Sequence, residues 1–358
     1  MRQSLEVADI FRAFGAAYRK AHEMPLQHLR AMRAIEICRT AELGGHLDQC
    51  DHCGTVRISY NSCRNRHCPK CQCLEKERWL EAREKDLLPI SYFHVVFTLP
   101  EGLRPLALRN QKVIYTLLFK AVSETLTELA RDSKHLGAEI GFMAILHTWS
   151  QTLIDHPHLH CLVSGGGLSL DGKRWISSKK DFFISVQVLS SLFRGKFLDG
   201  LQKRYEAGEL KFPGQIEELR EASGFKRFLT NLYHQQWVVY CKPPLKHPGK
   251  VMDYLGRYTH RVALSNDRLV RLEGNQVTFR WRDSADNNKI KLLSLEALEF
   301  IRRFLLHVLP DQFVKIRYYG IMSHRSRKTK LSRCKKLLGV WRRVRRRRRS
   351  QKRRGKTC

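Results

Sequence analysis

Negative charge is what this chain has least of. Asp and Glu number 34 against 66 Lys and Arg, a formal net charge of +32 over 358 residues. From Gln312 to the end there is no acidic residue at all. An excess of this size has to be neutralised by a polyanion, and nucleic acid is the partner expected, with an anionic membrane surface as the competitor. Long apolar runs are also missing. None approaches the roughly 20 residues that span a bilayer, and the first residues lack the charged-then-apolar pattern of a secretory signal, so a cytoplasmic, nucleoid-associated protein is expected. There is no Walker-type phosphate loop, hence no evident site for chemistry driven by nucleotide hydrolysis. No internal repeat is present. The apolar fraction, 42%, is ordinary, and the length allows two or three domains.

Cysteine, by contrast, is concentrated. Six of the 11 cysteines fall between Cys50 and Cys73. They are too crowded for most pairs to bridge, and in a reducing compartment such clustering means metal. Cys50-x2-Cys53 and Cys68-x2-Cys71 are two knuckles with 14 residues between them, the spacing of a zinc ribbon or finger. Four thiolates complete a tetrahedral shell, and the ion stabilises a segment too small for its own core. Cys63 or His67 could replace one donor, or a second ion could be present. Arg64, Arg66 and Lys70 would then be held on a rigid module, available to phosphates.

Two further segments carry chemistry. With 16 histidines, one His-x-His is expected roughly once by chance, so context has to decide. In His156-Pro157-His158-Leu159-His160 the alternation of a strand sends His158 and His160 to one face, inside a run that continues through Cys161, Leu162 and Val163 and is expected to end at Ser164-Gly165-Gly166-Gly167. Residues 140–149 read as another strand. A hairpin closing near Leu153 would set His147 opposite the pair, making three imidazoles for one divalent cation. His94 is the reserve ligand, and Asp155 or His156 would serve if the strand bends. Tyr254 and Tyr258 lie four apart on a helix starting near Gly249, so both phenols share one side. Arg257 and Arg261 are on the same stretch, which suits a surface that meets phosphates. A metal beside two phenols is equipment for cutting DNA through a phosphotyrosine link.

The remaining elements follow from periodicity. Residues 1–40 read as helical, 41–75 as the zinc-binding domain, 88–265 as a catalytic domain, 266–335 as an α/β extension and 336–358 as a disordered polybasic tail. Within the catalytic domain, strands are expected at 92–98 and 236–240 and helices at 111–131 and across 185–230. Beyond it come a hairpin of 268–272 with 277–281 and a helix near 295–307. The fold class is therefore α+β, an antiparallel sheet with flanking helices.

Taken in order, several blocks resemble a known family: Gly44-Gly45-His46, the two knuckles, Tyr60 to Gln72, His94 to Pro100, His147-Thr148-Trp149, His156 to Gly167 and Tyr254 to Arg261. They resemble the rolling-circle insertion-sequence transposases of the IS91 family, two-tyrosine members of the histidine-hydrophobe-histidine (HUH) nucleases. The resemblance covers residues 10–335 and leaves out the arginine-rich tail. It implies an HUH-type sheet and an endonuclease and strand transferase acting on single-stranded element ends and target DNA, with no small-molecule substrate and no membrane. His158 and His160 match the family's metal pair, holding Mg²⁺ or Mn²⁺, and Tyr254 and Tyr258 match its nucleophiles. A non-catalytic zinc-dependent DNA-binding regulator is the competing expectation. A carboxylate-triad nuclease is a third.

Overall fold

The computed structural model describes residues 5–179, 183–246, 248–259 and 262–340, so the polybasic tail from 341 lies outside the described residues. Among the described residues eleven strands run in chain order as β1 (Gly45–Gln49), β2 (Val56–Tyr60), β3 (Tyr92–Thr98), β4 (Ala138–Trp149), β5 (Asp155–Ser169), β6 (Trp175–Ser177), β7 (Val239–Leu245), β8 (Leu269–Glu273), β9 (Gln276–Asp283), β10 (Lys289–Glu296) and β11 (Ile316–Gly320). The α-helices are α1 (Val7–Ala21), α2 (Leu26–Glu36), α3 (Pro69–Glu84), α4 (Arg104–Arg109), α5 (Gln111–Arg131), α6 (Val186–Glu206), α7 (Ala222–His234), α8 (Pro248–Tyr258), α9 (Ala297–Leu306) and α10 (Ser332–Leu337). No helix of the described residues is long and apolar enough to cross a membrane. The chain divides into two compact units. The first comprises Met1–Leu80, Thr148–His156 and Gly256–Phe313, and the second Glu81–His147, Pro157–Leu255 and Val314–Cys358.

The second unit is built on one sheet of order β11-β4-β5-β3-β7, with β6 paired to β5. The pairs β11–β4, β5–β3, β5–β6 and β3–β7 are antiparallel. A five-residue turn joins the neighbours β4 and β5, too short for the crossover a parallel pair requires. That turn closes through Ser150 N–H on Ile154 O, with Leu153 at φ 63°, where the hairpin was expected to close. One face of the sheet meets α5 and α6: Phe97, an odd residue of β3, meets Phe193 of α6 edge-on at 5.2 Å, and Arg317 of β11 lies over Phe119 of α5. The even residues, His94, His158 and His160 among them, occupy the opposite face in register, Thr98 opposite His158 and Val96 opposite His160. The result is an α+β sandwich.

The triple glycine does not end β5 as expected; the strand runs on to Ser169. A Cβ at Gly165 would stand 2.6 Å from Ser91 O, and one at Gly167 2.6 Å from Glu139 O. The glycines are there to let flanking backbone approach, not to stop pairing. The strand expected at 236–240 is displaced to β7, whose Pro243 and Pro244 are tolerated because β7 is an edge of the sheet.

The first unit has its own core. Val7, Ile10 and Phe11 of α1 pack with Ala31, Met32 and Ile35 of α2, with Phe300, Ile301, Phe304 and Leu305 of α9, and with Val277 and Phe279 of β9. Phe11 meets Phe304 edge-on at 5.3 Å. The segments read separately as 1–40 and 41–75 therefore share a single core with residues 266–313 of the extension read as 266–335 and with the tip of the β4–β5 hairpin, while 314–335 belong to the second unit. None of these pieces buries enough apolar surface by itself. Strand β10 adds to the hairpin expected at 268–281, making a β10-β9-β8 sheet. Its pattern escaped periodic reading because Ile290 and Leu292 are 61% and 59% exposed while lysines alternate with them.

His307 anchors the hairpin tip in this unit. Its Nε2–H donates to Leu153 O and its Nδ1 accepts from the Thr148 hydroxyl, so the ring is neutral with both nitrogens in use. Burial pushes His307 down to about 4 from the ordinary 6.5. An unfolded chain takes up this proton first, so its contribution to stability is complete above pH 6.5 and is lost as pH falls toward 4. Thermal melts from pH 7.5 to 4.5 should show a declining Tm for this unit. His307→Gln, which cannot protonate, should show a shallower decline over the same window.

Candidate metal centres and nucleophiles

The alternation of β5 and the β4–β5 hairpin bring together His147, His158 and His160, whose ring nitrogens all lie within 4.8 Å of one another. The rings of His147 stand 5.5 Å from His158 and 4.6 Å from His160, both edge-on. His158 Nε2 and His160 Nε2 are 3.1 Å apart, close to the separation of two neighbouring ligands each about 2.1 Å from one ion. Burial of His147 and His160, with His158 half-buried, leaves the third as the accessible side of the cluster. The donors thus fit a divalent cation with positions left open.

His94 does not join the three. Its Nε2 is 2.9 Å from Nδ1 of His160, behind the cluster. Burial, then the charge of Lys242 beside it on β7, pushes His94 down to about 3, so it stays neutral and able to accept. Were His160 Nε2 turned to an ion, the ring proton would sit on Nδ1 and donate to His94, which would fix the imidazole's tautomer and tilt. Asp155 and His156, the other reserves, belong to the hairpin tip in the first unit.

Tyr254 lies in the same unit as the histidines, 6% exposed, its ring 4.5 Å from that of His94. Tyr258 follows one turn later on α8, in the first unit. The side chain of Arg257, and Arg261 as a whole, lie outside the described residues.

The cysteines regroup. Cys68 and Cys71 gather with Cys38 and Cys63, not with Cys50 and Cys53. Cys71 Sγ is 3.6 Å from that of Cys38 and 3.5 Å from that of Cys63. These spacings are too long for a disulfide and near the ~3.8 Å edge of a tetrahedron of sulfurs around zinc. The thiols hydrogen-bond one another: Cys63 and Cys68 hold Cys38 down to about 2, while Cys38 pushes Cys63 up to about 12. Cys50 and Cys53 sit exposed at the tip of the β1–β2 hairpin, where Cys50 N–H donates to Thr55 O. Two five-residue strands carry that tip about 17 Å from the hairpin base, and the base is where Cys63 emerges. Arg39 N–H on Asn61 O ties the segment after α2, and with it Cys38, to the same base. The Cys63-x4-Cys68-x2-Cys71 spacing was in the sequence; Cys38, 25 positions before Cys63, had no local signal. His67 is half-buried and outside the cluster.

Two of the basic residues expected to meet DNA are engaged within the protein. The Arg66 guanidinium donates to the carbonyls of Leu309, Pro310 and Phe313, and Lys70 pairs with Glu6 at 2.5 Å. Arg64 is exposed, in the left-handed region at φ 53°.

A family model described as "Putative transposase" matches residues 141–330, and one described as "Transposase zinc-binding domain" matches residues 10–99. The chain is a DNA transposase that carries a zinc-binding module. "Putative transposase y4qJ" of Sinorhizobium fredii is 53% identical over 95% of this chain and 85% of its own length. "Transposase for insertion sequence element IS801" of Pseudomonas savastanoi pv. phaseolicola is 26% identical over 80% of this chain and 68% of its own. This chain belongs to the IS91 family of insertion-sequence transposases. A conjugative relaxase solved in complex with oriT DNA aligns over 71% of this chain and 95% of its own at 13% identity, with a TM-score of 0.27, too slight a likeness to bear on the chemistry.

Proposed function

We propose that this transposase nicks and rejoins single-stranded DNA at the ends of its element by tyrosine transesterification, with Tyr254 and Tyr258 as nucleophiles. The observation that carries this is the three-imidazole cluster with Tyr254 packed on His94 behind it. His147, His158 and His160 would hold Mg²⁺ or Mn²⁺, which when bound supplies a Lewis acid for the scissile phosphate. A tyrosine Oη loses its proton and attacks phosphorus in line. The bond from phosphorus to the 3′ oxygen breaks, and that oxygen leaves, taking up a proton as a free 3′-hydroxyl. The protein retains a 5′-phosphotyrosine ester. One P–O bond replaces another, so a second 3′-hydroxyl can reverse the step and rejoin strands without nucleotide hydrolysis. Cys38, Cys63, Cys68 and Cys71 would hold a structural zinc ion that ties α2 and α3 to the core of the first unit.

Covalent trapping tests this. With a single-stranded oligonucleotide of the element's end and Mn²⁺, the wild-type protein should give a species that survives boiling in detergent, and a free 3′-hydroxyl. A regulator that only binds, or a carboxylate nuclease that uses water, leaves no such adduct. Imidazole donors rank Mn²⁺ above hard Mg²⁺, so Mn²⁺ should support the reaction at lower concentration.

His94 should act as a positioning residue. His94→Ala is expected to raise the Kd for Mn²⁺, read by calorimetry or EPR, by about 10- to 100-fold. His94→Asp, which restores an acceptor for His160, should recover part of the loss. A structural role alone would lower Tm and leave the Kd unchanged.

A further inference from the structure

The first unit contains a cleft of about 810 Å³, within the range of sites that enclose a small ligand, roughly 300–1,000 Å³. Its wall includes Tyr258, and opposite elements contribute Lys76 of α3, Arg268, and the run Arg280-Trp281-Arg282 at the end of β9. Among the described residues lining it, Asp267 is the one acid against four cations. Arg280 and Arg282 are exposed, and as alternate residues of one strand they project to one face about 7 Å apart and Trp281 between them to the other, yet all three line the cleft where β9 runs out. That spacing is comparable to the step between successive phosphates of an extended strand. Trp281 is half-buried, with Lys291 Nζ 6.0 Å over its ring. Ile290, paired in register with Arg282, is 61% exposed beside it. Arg268 is committed otherwise: it donates to Arg280 O and Gln151 O, and so fixes β9 against the hairpin tip. Cations interleaved with an indole and exposed aliphatic surface are the composition that tracks a single strand, with charge taking the backbone and the ring taking a base.

We infer that this cleft seats the single-stranded DNA adjoining the phosphate attacked by Tyr258, with a base stacked on Trp281 and successive phosphates on Arg280 and Arg282. The inference rests on the tyrosine nuclease proposed above, and it locates the path of the strand next to the second nucleophile.

The test uses the full-length protein with a dT20 oligonucleotide, an abasic strand of equal length, a duplex, and the element-end trapping assay. Trp281→Ala should weaken dT20 binding by about ten-fold while changing abasic-strand binding less than about two-fold. Trp281→Phe, which keeps a stacking ring, should retain most of the affinity and controls for folding. Arg280→Gln with Arg282→Gln should weaken both strands and flatten the slope of log K against log salt by about 1.4, or two phosphates at ~0.7 each. Unchanged dT20 affinity in all these variants, with the wild type still forming its adduct, would overturn the cleft assignment alone. Equal displacement of dT20 by polyglutamate, or effects confined to the duplex, would overturn it too, marking a general polyanion patch or a duplex site. A wild type that forms no adduct but loses dT20 affinity in the variants would sink the nuclease proposal and leave the cleft in place.

Discussion

The Tyr254→Phe, Tyr258→Phe double variant will bind the element-end oligonucleotide as tightly as wild type and form no covalent species, a loss of about 10³-fold or more. Phenylalanine keeps the ring packing of Tyr254 on His94 and removes only the oxygen that would attack phosphorus. Each single variant should retain part of the reaction, because the two phenols lie one turn apart on α8, about 5–6 Å along one side. Which single variant loses first-strand cleavage and which loses rejoining will order the two tyrosines. His158→Ala should also abolish the adduct, by a different route: it removes the accessible donor of the imidazole cluster, so Mn²⁺ affinity falls with it. A double variant that still cleaved would make water or another side chain the nucleophile, and the transesterification would be wrong.

The second large effect separates the cysteines. Cys38→Ser should cost stoichiometric zinc and unfold the first unit, because Cys38, Cys68 and Cys71 are buried in the same core as α1, α2 and α9. A site of this kind contributes on the order of 10 kcal/mol of folding free energy when its metal is bound, comparable to the whole ~5–15 kcal/mol that a domain has in reserve. Cys50→Ser should be far milder, leaving one zinc per chain and an unchanged Tm, since Cys50 is exposed at the hairpin tip. Elemental analysis and thermal melts of the two variants side by side settle it. If Cys50→Ser lost the metal and Cys38→Ser kept it, the zinc would belong to the two knuckles as spacing first suggested.

The two candidate metal centres were legible to different degrees for one reason. His147, His158 and His160 lie on adjacent strands joined by a five-residue turn, so a period of two and a turn position were enough to place them on one face. The two Cys-x2-Cys knuckles look equivalent in the sequence, but a hairpin carries the first away from its base, and backbone hydrogen bonds draw the distant Cys38 in. Similarly, Arg66 and Lys70 read as free cations beside a knuckle until packing gives the first three carbonyls and the second a carboxylate.

What the amino-acid sequence determined by itself was everything encoded at short range or in bulk: the polyanion partner from its charge, the α+β class and the long helix α5 from periodicity, the histidine face from strand alternation, the tyrosine spacing from helical pitch, and the family from blocks in order. Tertiary structure alone decided which thiols meet, that His94 backs His160, and that Trp281 shares a cleft with Tyr258 and Lys76. Those residues come from elements far apart in the chain. No local period links them, and only the burial of apolar faces that cannot be covered within their own segments brings them together.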